Sequence, residues 1–268
     1  MHTTTMLRAA ALGLAFAPAA MSQAQAQAPH QPSAEVMRSF IGPWNGMARE
    51  GQQRQQSADA PPASTVNDRR FPPALEARLT PKAKAAYLKF KDLASKVVDK
   101  EPPTPDNNCL PFAMAGETVS TRWPMMLLVT PTVIGIRMQI DNQVRLVHMN
   151  QEHPKDLKPS MHGHSVGHWE GDTLVIDTIG FDERAQFNDG FIHGPNLRVV
   201  ERYRVIDGGK TLEKTFTYTD PDSLTEPYTF TATEYQSDEP LQEYVNLQNN
   251  QLYPCPNARE GSKYRPVQ

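Results

Sequence analysis

Beyond Cys109 the apolar residues fall at every second position in short runs, and the runs are separated by residues that let a backbone reverse direction. Side chains of a strand alternate between its two faces, so this period marks strands with one covered and one wetter face. The runs are 118–123, 125–129, 133–140, 144–149, 164–169, 173–179, 197–206, 211–219, 228–235 and 241–247. Asp141-Asn142, Glu170-Gly171-Asp172, Asp207-Gly208-Gly209 and Asp220-Pro221-Asp222 stand between them, all strong turn formers. Short strands joined in this way, with no helices between, leave none of the crossovers that parallel pairs need. The expectation is a mainly β fold, an antiparallel meander forming a barrel or a strongly curved sheet. The absence of a repeat period argues against a propeller.

Ahead of this region the chain reads differently. Arg8 precedes an apolar run over 9–20, which Pro18 interrupts, and a small-residue stretch over 21–28 follows it. That pattern is expected of a secretory signal peptide cut after Ala26 or Ala28, because a membrane span needs about 20 unbroken apolar residues. Residues 29–108 read as a proline-rich extended arm, in which Phe40 and Trp44 pin the chain to the body, plus one amphipathic helix over 80–100. Thr80-Pro81 supplies an N-cap followed by proline at the first helical position, and Ala83, Tyr87, Phe90, Ala94 and Val97 follow at helical spacing. The β domain spans 109–250 and a tail spans 251–268. One main domain is expected of a chain this long.

Charge and composition exclude some partners. Net charge is −3, with 27 basic and 30 acidic residues intermixed, so no basic stripe faces a phosphate backbone and nucleic acid is not an expected partner. No later run is long and apolar enough to span a bilayer as a helix, so the mature chain is expected in the periplasm or secreted, without a transmembrane segment. Cys109 and Cys255 are the only cysteines, and an oxidising compartment would allow them to pair.

The chemistry concentrates in Met161 to Thr178 and the loops beside it. A two-residue turn at Glu170-Gly171 would set Trp169 against Asp172, Val166 against Val175 and His164 against Asp177. A carboxylate across from an imidazole fixes its tautomer and raises its basicity, as a general base requires. A three-residue turn would dissolve that pair, and the plainer reading is two polar groups satisfying each other on a sheet surface. His162, His164 and His168 share strand parity, which admits zinc or another divalent ion, although a sphere about 2 Å from three nitrogens is demanding. His153 and His193 lie in loops, where strand ends line the mouth of a barrel, and Glu201 or Asp177 would join them there with His164. Arg198, Arg202 and Arg204 alternate with Leu197, Val199, Tyr203 and Val205 and read as the wet face of a strand. Ser165 sits in Gly163-His164-Ser165-Val166-Gly167, which matches a nucleophile-elbow pattern in letters only, since a strand continues where the elbow needs a helix. There is no glycine-rich phosphate loop and no Cys-x-x-Cys pair, and the cofactor is left open, with a divalent metal such as zinc among the candidates.

The block from Gly163 to Phe181, written Gly-His-Ser-Val-Gly-x-Trp-Glu-Gly-Asp-Thr-Leu-Val-x-Asp-Thr-x-Gly-Phe, resembles a large group of exported bacterial proteins without an assigned activity. The likeness extends to Leu79-Thr80-Pro81, Cys109-Leu110-Pro111, His153-Pro154, His193 and the stretch from Leu197 to Tyr203. It implies a shared fold and a shared site containing His153, His164 and His193, whereas His162 and His168 fall at variable positions of the pattern. Asn246 stands where the pattern has a cysteine. The expected function is a small-molecule reaction of lyase, isomerase or hydrolase type, with His164 and Asp177 as the acid–base pair and His153, His193 and Glu201 assisting. The alternatives are a non-catalytic barrel that holds a small ligand and a periplasmic interaction module.

Overall fold

The computed structural model describes residues 31–46, 73–96, 123–185 and 191–242. Nine strands close into one barrel in chain order: β1 (Gly42–Asn45), β2 (Met125–Val129), β3 (Val133–Met138), β4 (Val144–Met149), β5 (His164–Glu170), β6 (Thr173–Ile179), β7 (Arg198–Ile206), β8 (Thr211–Thr219) and β9 (Tyr228–Gln236). The barrel follows from the alternation in the sequence, because each strand has an apolar face that only a closed sheet covers without leaving an edge.

The purely antiparallel meander needs one correction. β4 and β5 run parallel, with Val147 opposite Ser165 and Met149 opposite Gly167, while every other neighbouring pair is antiparallel. A ring of nine strands cannot alternate direction all the way round, since an even number of reversals is needed to return to the start. One parallel contact resolves the mismatch. Residues 150–163 form the return connection, which is the length a parallel pair requires.

The arm is also not extended throughout. Ser33 caps α1 (Ala34–Phe40), its side chain accepting from the Val36 amide at 3.2 Å, and β1 then enters the barrel between β2 and β9. Phe40 and Trp44 are fully buried, as the pinning role demanded, and the Phe40 ring meets the inward Trp169 edge-on at 5.1 Å. A short α2 (Pro73–Glu76) precedes α3 (Pro81–Lys96), whose Thr80 cap accepts from Ala83 at 3.3 Å. Ala83 and Tyr87 are its buried contacts, and Leu79 bridges to Leu224 beyond β8. Most of the expected strands over 118–123 and 241–247 lies outside the described residues, as do Cys109, Cys255 and the signal-like segment, and Trp123 is a bend. Residues 241–242 are not in a strand.

The barrel is filled by Met125, Leu127, Ile134, Ile136, Met138, Val147, Trp169, Leu174, Ile176, Val199, Phe216 and Phe230, among others. An interior of this strand number is about wide enough for side chains to fill, or for one small ligand. β4 breaks the usual sidedness: Val144 and Leu146 are 55% and 52% exposed, while Arg145, Val147 and Met149 point inward.

Candidate functional site

The β5–β6 hairpin turns at Gly171-Asp172, because Glu170 opposes Thr173 and Trp169 opposes Leu174. Gly171 supplies φ 63° at the first central position, a conformation glycine adopts freely. His164 therefore opposes Ile179, and Val166 opposes Asp177, so the expected direct His164–Asp177 pairing is displaced by two residues. A two-residue slip preserves sidedness in a pleated strand. His164 and Asp177 consequently still share the outer face, as diagonal neighbours.

His153, on the loop after β4, fills the gap between them. Its Nδ1 lies 2.9 Å from Nδ1 of His164, and its Nε2 lies 3.5 Å from Oδ2 of Asp177. Arg198, the first residue of β7, donates Nε and Nη2 to the two Asp177 oxygens at 2.8 and 2.7 Å. This bidentate clamp fixes the carboxylate and raises the Arg198 pKa. His148, outward on β4, stacks on His164 with ring centroids 5.1 Å apart and planes at 9°. Burial, followed by the fields of His153 and His148, lowers the His164 pKa. The result is a row of three imidazoles, one carboxylate and one guanidinium along the outside of β4, β5, β6 and β7.

Glu201 does not join that row. It points into the barrel, fully buried, where Arg145 donates Nη2 to its Oε1 at 2.5 Å and Tyr203 donates its hydroxyl to Oε2 at 2.6 Å. Arg145 also donates Nε to Ser165 at 2.8 Å and Nη2 to Thr178 at 2.6 Å. Burial opposes its charge, yet Glu201 and Tyr203 outweigh that and hold its pKa above the ordinary value. A second buried pair lies beyond Tyr203: Lys214 donates to Glu234, and its ammonium sits 5.9 Å from the ring centres of Tyr203 and Phe216. Burial raises the Glu234 pKa against the pull of Lys214. Glu201 was expected in a histidine cluster; its strand parity, shared with Val199 and Tyr203, places it inside instead.

His193 is also separate. It is buried in the loop before β7, its Nδ1 2.9 Å from the Gly194 carbonyl oxygen and its ring 6.2 Å from that of Phe181, edge to face. The neighbouring Gly194 amide donates to Asp220 at 2.9 Å, which ties this loop to the end of β8. The shared histidine face over 162, 164 and 168 likewise dissolves. His162 belongs to a turn, and Gly163, at φ 64°, separates it from the strand. Burial first, then the Arg145 charge, push the His162 pKa down to about 4. His164 and His168 face outward, the latter paired with Glu170 at 3.1 Å. Lone pairs of stacked rings point along parallel planes, so His148 and His164 do not converge on one ion, and among the described residues no three His, Cys, Asp or Glu side chains are arranged to hold a metal. The three arginines of β7 behave as expected: Arg198 and Arg202 are outward and exposed, and Arg204 is half-buried, reaching Asp177, Glu170 and Glu213 respectively.

Fold and site together define a closed, mixed nine-strand β-barrel with a charged hydrogen-bonded interior and a histidine row on its outer wall. No family model, curated protein or solved structure matches this chain. Arg145, His148, Lys214 and Glu234 were not singled out from the sequence. Three of the four carried a readable signal, since Arg145 shares parity with Val147 and Met149, Lys214 with Leu212 and Phe216, and Glu234 with Phe230 and Ala232.

Proposed function

We propose that this chain works outside the cytoplasm, in the periplasm or beyond, and performs acid–base chemistry on a small organic molecule at the outer-wall row, with His164 as proton acceptor. The observation that carries this reading is the 2.9 Å approach of the His153 and His164 Nδ1 atoms. Two such nitrogens share one proton. Asp177 beside Nε2 of His153 favours the tautomer protonated there, so Nδ1 of His153 accepts from Nδ1–H of His164. Nε2 of His164 is then left as a lone pair on an imidazole whose lowered pKa keeps it neutral and ready as a base. The 3.5 Å step to Asp177 exceeds a hydrogen bond, as catalytic contacts often do before substrate tightens them. His153 and Asp177 are positioning residues here, and the reaction class is proton removal from carbon or water, as in a lyase, isomerase or hydrolase. The signal-like segment over 1–28 supports the compartment.

The test is incubation in heavy water with a panel of small carbonyl compounds and aryl esters, read by NMR for deuterium uptake and ester cleavage. Turnover of a panel member that disappears in His164→Gln and persists in His168→Gln supports the assignment. Equal turnover in His164→Gln and the parent chain overturns it.

A further inference from the structure

Two buried side chains, Gln143 just before β4 and Arg145 within it, carry polar atoms with no hydrogen-bond partner. Arg145 is 2% exposed and its Nη1 has no hydrogen-bond partner, although Nε and Nη2 are fully engaged. Gln143 is 8% exposed, and neither Oε1 nor Nε2 of its amide has a partner. The two residues are spaced by two along β4 and its N-terminal extension, where the Met138 amide donates to the Gln143 carbonyl at 2.9 Å. Both therefore point to the interior, about 6.6 Å apart along the strand. A buried polar atom without a partner has lost its hydration for nothing in return, so three such atoms on two successive inward positions call for an occupant.

The charge balance selects the kind of occupant. Arg145 is already neutralised by Glu201, and His162, which the Arg145 charge reaches, stays uncharged at neutral pH. A carboxylate or phosphate bound here would leave one buried negative charge without a counter-ion, which a low-dielectric interior strongly disfavours. A neutral group avoids that penalty. It needs an acceptor for the N–H donors of Arg145 and Gln143 and a donor for the Gln143 oxygen, which is the pattern of a carbonyl beside an N–H or O–H.

We propose that Gln143 and Arg145 form an interior binding site for an uncharged small molecule bearing a carbonyl oxygen next to an N–H or O–H donor, such as a lactam, amide or hydroxyketone. This site faces the opposite side of the sheet from His164 and does not depend on the reaction proposed there.

The experiment titrates the full chain, labelled with nitrogen-15, with 2-pyrrolidinone, hydroxyacetone, acetate and inorganic phosphate, following the Gln143 amide and Arg145 Nε–H resonances. The expected result is a saturable shift of both resonances by one of the two neutral probes and none by the two anions. Gln143→Met, which keeps length and removes the amide, should weaken that binding at least tenfold, and His164→Gln should leave it unchanged. No saturable shift by either neutral probe, consistent with ordered water alone, overturns the proposal. So does acetate or phosphate binding as tightly as the neutral probes, or unchanged binding in Gln143→Met. Because the wild-type titration stands alone, a Gln143→Met chain that fails to fold still leaves the proposal decided.

Discussion

His153 and His164 meet Nδ1 to Nδ1 at 2.9 Å, and at that distance the contact holds one proton rather than two. Protons on both Nδ1 atoms would set two N–H donors against each other, and burial followed by the field of His153 lowers the His164 pKa. His148, stacked on the face of the His164 ring, lowers the pKa further. Replacing His148 by Gln removes one of the causes that lower the His164 pKa, and the His164 titration midpoint should move up toward the ordinary histidine value. NMR titration of the His164 ring carbons reads it, and an unchanged or lower midpoint would contradict the stacking account.

His162 contributes to acid sensitivity. Its pKa falls from 6.5 in the unfolded chain to about 4 in the fold, so the unfolded state binds more protons between those values. Stability is therefore complete above pH 6.5 and declines as pH drops toward 4. At pH 5 this one group should make the protein about 2 kcal/mol less stable than at pH 7.5. Urea unfolding of His162→Gln at both values should show a correspondingly flatter dependence.

Arg145 and Glu201 stand or fall together. Arg145→Met alone, or Glu201→Gln alone, leaves one buried charge without its partner and should cost about 3–5 kcal/mol. The double variant removes both charges and keeps an acceptor for Tyr203, so it should recover most of that loss. Denaturation midpoints for the four chains check it; additive losses in the double variant would mean that the pair is not coupled.

Gly163 is the joint between the His162 turn and strand β5. Its φ is 64°, and a Cβ there would lie 2.7 Å from the Ile179 carbonyl oxygen and 2.9 Å from a Thr178 methyl. Gly163→Ala meets both an unfavourable backbone conformation and a rigid neighbour, and should cost about 1–3 kcal/mol. Melting temperature measures the loss, and the His162 and His164 ring signals should both move in the same sample, since the joint orients both.

Much of the fold was legible because alternation and turn residues are local signals. Eight of the nine strands appear in the sequence as period-two runs, from β2 to β9, with bounds shifted by a few residues at most. β1 was not, since four residues within Gly42-Pro43-Trp44-Asn45 are too short to show a period. The site was half legible. Placing His164 and Asp177 on one face needed only sidedness, which survives a slip of two, whereas naming their direct contact needed the turn position, which does not.

The sequence by itself determined a β-barrel with His164 and Asp177 on a shared face, because strand period is set by the pleat of each segment alone. Tertiary structure decided which face was the inside. Val144 and Leu146 went to the surface and Arg145 to the interior because Ser165, Thr178 and Glu201, from three other strands, supply the hydrogen bonds and the charge that make a buried guanidinium stable. It also brought His153 and His148 to His164 across the parallel β4–β5 contact, a pairing that depends on how a ring of nine strands closes and on no residue considered alone.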